Sequence, residues 1–260
     1  MAPDAARSES LIVAIDVGLS NLSLCALRCA QWAEASERPP LLEDARKRLA
    51  QAALERWEVV SLGLPRGASF AARSEAVAVF VQERRDVFAS ARAVVIEHQM
   101  QATMRTVAAA LFAAVRMVSQ DCLLFSQQSK DKLRWKDLGD PARGSLDLST
   151  YSKRKQVSVS VAHYLLGMDV PQPQAKRRRT GAGPEARLDS YDTTASGPLP
   201  TMRAILSSSQ KKDDLADALL HLCAFDCAHN PISAKTPSRR RRAPARTPCS
   251  APSAEAPEMT

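Results

Sequence analysis

A single α/β domain, built on a mixed sheet with helices over its faces, is predicted by three observations. Short apolar runs rich in Val and Ile recur at 11–17, 22–28, 57–64, 94–97 and 122–125, as buried strands do. The first three form an antiparallel start and the later ones alternate with helical stretches, an order that mixes antiparallel with parallel pairing. A chain of 260 residues is also long enough for one substantial core plus irregular additions.

Residues 11–17 (LIVAIDV) read as a buried strand, 18–21 as turn chemistry, and 22–28 as the returning strand of a hairpin. Residues 31–54 are polar, alanine-rich and interrupted by Pro39 and Pro40, so they read as an insertion whose later part has a helical pattern. A third strand is expected at 57–64. A helix over 71–90 follows, with Val77, Phe80, Val81 and Val87 at helical spacing. The strand at 94–97 ends on a carboxylate. In the helix expected at 102–120 only Arg105 and Arg116 are charged, which predicts burial or a subunit contact. After the strand at 122–125, residues 126–150 are polar, with Lys130, Lys132, Arg134 and Lys136 around Trp135, whose ring is expected to be buried under the loop. A helix starting near Ser152 and a last one over 211–227 complete the ordered elements. Pro, Gly, Ser, Thr and Arg dominate 171–200, and Pro and Arg dominate the end of the chain, compositions that cannot bury enough apolar surface to order themselves. The expected division is a disordered N-terminus at 1–10, a domain at 11–228 with inserts at 31–54 and 171–200, and a disordered basic tail at 229–260.

Lysine and arginine total 36 against 28 acidic residues, a net charge of +8 that favours polyanionic partners, nucleic acid first. Much of the surplus lies in KRRR (176–179) and RRRR (239–242), which read as nuclear import signals or electrostatic tethers to DNA. The six cysteines form no CxxC pair and have no matching histidine cluster, which argues against structural zinc and for a reducing, intracellular compartment. No apolar run approaches the roughly 20 residues of a membrane span, and the first ten residues have no hydrophobic core for secretion. The composition suits a nucleus or a viral replication site as well as a mitochondrion.

Four carboxylates stand out. Asp16 ends LIVAID, Glu97 ends AVVIE, and Asp214 and Asp217 lie in KKDDLADALLHLCAF. Acidic groups at the ends of buried strands are costly unless a cation or hydrogen bonds compensate them, and three segments repeating that cost point to one shared site. Asp214 and Asp217, three apart, share a helix face; Asp213 and Asp217, four apart, meet the same condition, so Asp213 and Asp214 are alternatives beside Asp217. Leu215, Leu219, Leu222 and Phe225 on the opposite face are expected to dock on the sheet. Such a carboxylate set suits magnesium, which needs oxygen ligands and neither histidine nor thiolate. Lys153, Arg154 and Lys155 at one helix start, and Lys211 and Lys212 before the acidic pair, are candidate phosphate contacts. His98 and His221, close in sequence to the proposed ligands, are expected to pack or to hydrogen-bond behind them.

AIDVGLSNLSLCAL, VVIEHQMQATMR and KKDDLADALLH, in that order, resemble the three motifs of the RuvC-type Holliday junction resolvases, with most likeness to the fungal mitochondrial and poxvirus branch. The likeness lies in an Asp-x-Gly-x-x-Asn start, an Ile-Glu-x-Gln middle and a Lys-Lys-Asp-Asp-Leu-x-Asp end. The resemblance implies a ribonuclease H-like five-stranded sheet, a homodimer, magnesium or manganese dependence, and paired cleavage of four-way DNA junctions. It implies metal ligation by Asp16, in the central position, and by Glu97, Asp214 and Asp217. The family's basic residue after Ile-Glu-x-Gln is replaced by Gln101, with Arg105 nearby to serve. A catalytically silent nucleic-acid-binding protein of the same fold is the alternative. AIDVGLSN also resembles the first phosphate loop of actin-like ATPases and sugar kinases, but a second Asp-x-Gly loop and an adenosine-binding glycine pair are missing, and the chain has only 9 glycines.

Overall fold

A computed structural model of the chain describes residues 9–30, 41–65, 67–135, 149–169 and 198–229. The basic runs at 176–179 and 239–242, and most of the 171–200 insert, lie outside the described residues.

Two β-rich apolar segments joined by Gly18–Asn21 make the first hairpin, β1 (Glu9–Val17) against β2 (Asn21–Ala30). The turn closes through Gly18 N–H, which donates to the Asn21 carbonyl at 3.0 Å. A Cβ on Gly18 would meet that carbonyl oxygen at 2.7 Å, so only glycine fits. β3 (Ala53–Ser61) pairs antiparallel with β2, while β4 (Ala91–His98) and β5 (Leu123–Gln128) add in parallel on the other side of β1. The sheet order is β3-β2-β1-β4-β5. Three antiparallel strands, then two parallel ones, with β1 in the centre, are the arrangement of a ribonuclease H-like sheet.

Strand alternation divides the protein into two cores. Leu11, Val13 and Ile15 of β1, with Val94 and Ile96 of β4, pack under α2 (Phe70–Gln82), α3 (Arg85–Ser90) and α4 (Ala102–Val118). Ile12 and Ala14, with Ala93 and Val95, pack under α1 (Leu42–Gln51), α5 (Tyr151–Leu165), α6 (Pro198–Ser208) and α7 (Lys212–His229). By the same parity Asp16 and Glu97 point to the α7 face, and His98 to the other.

α7 is the pivot of the second core. It is buried nearly all round from Leu215 to Cys227, not on one face as expected, because α5 packs over the side that the sheet leaves open. Leu215, Leu219, Leu220, Leu222 and Phe225 each gain about 1.5–3 kcal/mol on burial. That sum exceeds the several kcal/mol per ion required to draw Asp217 and Asp226 out of water. Trp57 Nε1 donates to the Leu215 carbonyl at 3.0 Å and fixes the first turn of α7 over β3.

Among the elements that differ from expectation, four bear on the site and its supports. The third strand starts at Ala53 and ends at Ser61, so the insertion before it is shorter and holds α1. The helix expected at 71–90 is two, broken where Arg84 turns inward to donate to Glu58 Oε1 at 2.6 Å and to the Phe80 carbonyl at 3.1 Å. α6 extends through 198–208, beyond the expected loop. A 3-10 helix, Asp131–Leu133, lies in the polar stretch after β5, with Trp135 buried beneath it and donating to the Lys132 carbonyl at 2.7 Å.

Candidate metal centre

β1 and β4 run side by side through the pair Ile15–Ile96, so the next residue on each strand, Asp16 and Glu97, emerges at the same carboxyl end of the sheet. Parallel strands make that end one place in space rather than two. Asp16 is partly exposed at the rim, Glu97 and Asp217 are buried, and His221 is fully buried. One ligand atom each from Asp16, Glu97 and His221 lies within 4.8 Å of the others, forming a group of three that could hold a cation.

Each group has defined partners. Gln99, the last residue of Ile-Glu-x-Gln, donates its amide to Glu97 Oε2 and to the Val17 carbonyl (3.1 Å), tying the end of β4 to β1. Lys132, buried in the 3-10 helix, places Nζ 2.8 Å from Asp217 Oδ2 and 3.7 Å from Glu97 Oε1. His221, one turn after Asp217, has Nδ1 3.0 Å from Gln127 Oε1 and Nε2 3.6 Å from Glu97 Oε1. Gln127 is the residue paired with Glu97 across β4 and β5.

The electrostatics follow from burial and crowding. Desolvation, then repulsion by Glu97 and Asp217, pushes the Asp16 carboxyl well above the usual range. Burial also pushes Glu97 upward, but the His221 ring, a hydrogen bond shared with Asp16, and Lys132 together hold it well below that range. Asp16 and Glu97 are thus shifted in opposite directions. Burial pulls the Lys132 ammonium down, yet Asp217, Asp16 and Glu97 keep it above the ordinary lysine range. Two buried atoms here, Asp217 Oδ1 and His221 Nε2, have no hydrogen-bond partner. Unsatisfied acceptors beside two carboxyls that cannot both ionise are what a divalent ion would relieve, so the donor set fits one.

Of the residues predicted from sequence, Asp16 and Glu97 are brought together with His221, and Asp217 lies beside that group, linked to Glu97 through Lys132. Asp214 lies one turn before Asp217, its Oδ1 3.4 Å from Lys155 Nζ, outside the group of three. Asp213 also pairs with Lys155, which engages both alternatives at once. That pairing holds Asp213 below the usual range against the effect of burial, while burial and then Asp213 itself raise Asp214. Lys153 and Arg154 lie exposed in the first turn of α5, Lys211 and Lys212 at the start of α7, and Arg105 exposed in the first turn of α4. His98 is exposed on the opposite face, 3.3 Å from Ser126 Oγ. Lys132 and Gln127 were not singled out by sequence. The spacing of His221, four after Asp217, was the one available signal for its position.

No protein-family model matches the chain, and no curated protein matches it. Solved structures similar to it include T. thermophilus RuvC in complex with a Holliday junction substrate, at 14% identity and TM-score 0.40, covering 83% of this chain and 91% of that one. A second is the Thermus thermophilus RuvC structure, at 13% identity and TM-score 0.40, covering 82% and 91%. The chain is an α/β protein with ribonuclease H-like sheet topology and an acidic and histidine cluster at the carboxyl ends of its central strands.

Proposed function

We propose that the chain is a metal-dependent endodeoxyribonuclease of the RuvC type, with motifs nearest the fungal mitochondrial and poxvirus branch, that resolves four-way DNA junctions as a homodimer. The observation that carries this reading is the convergence of Asp16 of β1, Glu97 of β4 and His221 of α7 into one group that could hold a cation, with Asp217 beside it through Lys132. The three resolvase-like motifs supply the strands and helix involved. Magnesium or manganese ions, paired roughly 3.5–4 Å apart, stabilise both the attacking and the leaving oxygen of a phosphodiester.

Asp16 holds the central position, Glu97 and Asp217 flank it, and Asp214, with Asp213 as its alternative, completes the carboxylate set. Gln99 fixes Glu97 in place. Lys153, Arg154, Lys155, Lys211, Lys212 and Arg105 offer positive charge to DNA phosphates. Residues 11–228 form the catalytic unit, with inserts near 31–54 and 171–200 and a basic tail at 229–260. A four-way junction has two-fold symmetry, so two equivalent cuts require two equivalent sites, which a C2 dimer supplies. α4 buries Val107, Leu111 and Val115 and leaves Ala109, Ala113 and Met117 outward, a face suited to such a contact. The two basic runs fit a nuclear or viral replication setting, with a mitochondrial one compatible.

Incubation with labelled four-way, forked and linear duplexes tests this, with and without magnesium. The expected result is paired symmetric nicks in the junction alone, with Asp16→Asn binding the junction but leaving it intact. Cleavage by Asp16→Asn at the normal rate would remove the metal-centre reading. One observation favours a second reading, a silent junction-binding protein: Lys132 already places an ammonium between Glu97 and Asp217. Junction affinity with no nicking at any magnesium or manganese concentration would establish that one instead.

A further inference from the structure

We propose that His221 is a direct nitrogen ligand of the metal centre, making it a mixed carboxylate and imidazole site that selects manganese over magnesium. The inference deepens the reading above and rests on it.

His221 sits on α7 one turn beyond Asp217, and nothing of it reaches solvent. Its Nδ1 faces Gln127 Oε1 at 3.0 Å. An amide oxygen only accepts, so Nδ1 carries a proton, and in the neutral ring Nε2 presents a lone pair. That lone pair is aimed into the cluster: Nε2 has no hydrogen-bond partner, and Glu97 Oε1 is 3.6 Å away, too far for a hydrogen bond. With the ring neutral, that lone pair faces carboxylate oxygens, an arrangement that a cation between them would relieve. The separation is that of two donors sharing one ion, and Asp16 offers the third atom within 4.8 Å.

The surroundings fix the ring as a ligand's ring is fixed. An imidazole bound through one nitrogen donates its other N–H to an oxygen acceptor that sets its orientation. Gln127 fills that role from β5, and strand pairing places it beside Glu97. The other histidines are engaged elsewhere: His98 with Ser126, His163 with the Asp169 carbonyl and His229 with the Phe225 carbonyl. Magnesium is held by oxygens; manganese also favours oxygen donors but, as a first-row transition ion, tolerates an imidazole among them. A site with one nitrogen therefore discriminates between the two ions, which carboxylates alone do weakly.

The test uses the full chain loaded with manganese and read by pulsed electron paramagnetic resonance, which detects a coordinated nitrogen by its nuclear modulation. The wild type is expected to show strong 14N modulation, which becomes 15N modulation when histidine alone is 15N-labelled. His221→Gln is expected to keep manganese binding, lose the modulation, and lower the ratio of manganese to magnesium affinity about tenfold. Bound manganese without histidine modulation in the wild type would overturn the proposal while leaving the metal centre standing. A folded wild type that binds no manganese would remove the centre itself, and the ligand with it. The wild-type spectrum decides even if the variant does not fold.

Discussion

Asp16 and Glu97 are neighbours that cannot both be ionised cheaply, and the protein resolves this in opposite directions at the two residues. Asp16 is raised well above the ordinary aspartate value, so the folded chain binds a proton there that the unfolded chain releases. Its effect on stability is therefore most favourable in acid and is lost as pH rises through the raised value. Glu97 is lowered; its contribution is present above the ordinary glutamate value and lost as acid takes the pH down through its folded one. Above the ordinary carboxylate range only the Asp16 effect remains. Metal-free protein is accordingly expected to lose melting temperature between mildly acidic and neutral pH. Asp16→Asn, expected to abolish cleavage, should remove that slope and raise the neutral melting temperature by about 2–4 °C, the shift about 1 kcal/mol produces in a domain of this size. Thermal unfolding in chelator across that range checks it; an Asp16→Asn protein that melts lower than the wild type at neutral pH would contradict it. Functional groups held at the expense of stability commonly behave in this way.

The elements that build the centre differ in how plainly the sequence announces them. β1, β2, β4 and β5 are runs of Val, Ile and Leu between turn residues, and parity along β1 and β4 is enough to aim Asp16 and Glu97 at one face. The break between α2 and α3 is not local at all: it exists because Arg84 leaves the helical path to meet Glu58 on β3. α6 was obscured by the Pro- and Gly-rich segment before it, although Met202, Ile205 and Leu206 carry helical spacing. Lys132 could not be placed from sequence, since its neighbours are equally basic. Only the 3-10 helix, held over Trp135, turns this one lysine inward. Lys132 should then act as an internal counter-ion. Lys132→Met leaves Asp217 and Glu97 uncompensated, which is expected to lower metal-free stability by roughly 3–5 kcal/mol. The same change should tighten manganese binding, because no ammonium has to be displaced. Urea unfolding in chelator and in manganese measures both; unchanged stability together with unchanged affinity would show that Lys132 is not coupled to the site.

At the scale of the whole molecule, the parallel strands β1, β4 and β5 present their carboxyl ends on one side, with α4 and α7 starting near them from opposite faces. Paired cleavage of a symmetric junction requires two such ends held in fixed relation, and the outward face of α4 is the surface proposed to hold them. Ala113→Arg places a long charged side chain on that exposed face without touching either core. The variant is expected to run as a monomer by light scattering and to nick junctions singly instead of in pairs; an unchanged dimer would move the contact elsewhere. No helix among the described residues is long and apolar enough to cross a membrane. The measurement that bears most directly on the centre is anomalous diffraction from crystals soaked in manganese. A peak is expected between the Asp16 and Glu97 carboxylates, with oxygens at about 2.1 Å and His221 Nε2 on the same ion. Full-occupancy manganese bound only at other positions would contradict the proposed function at its root.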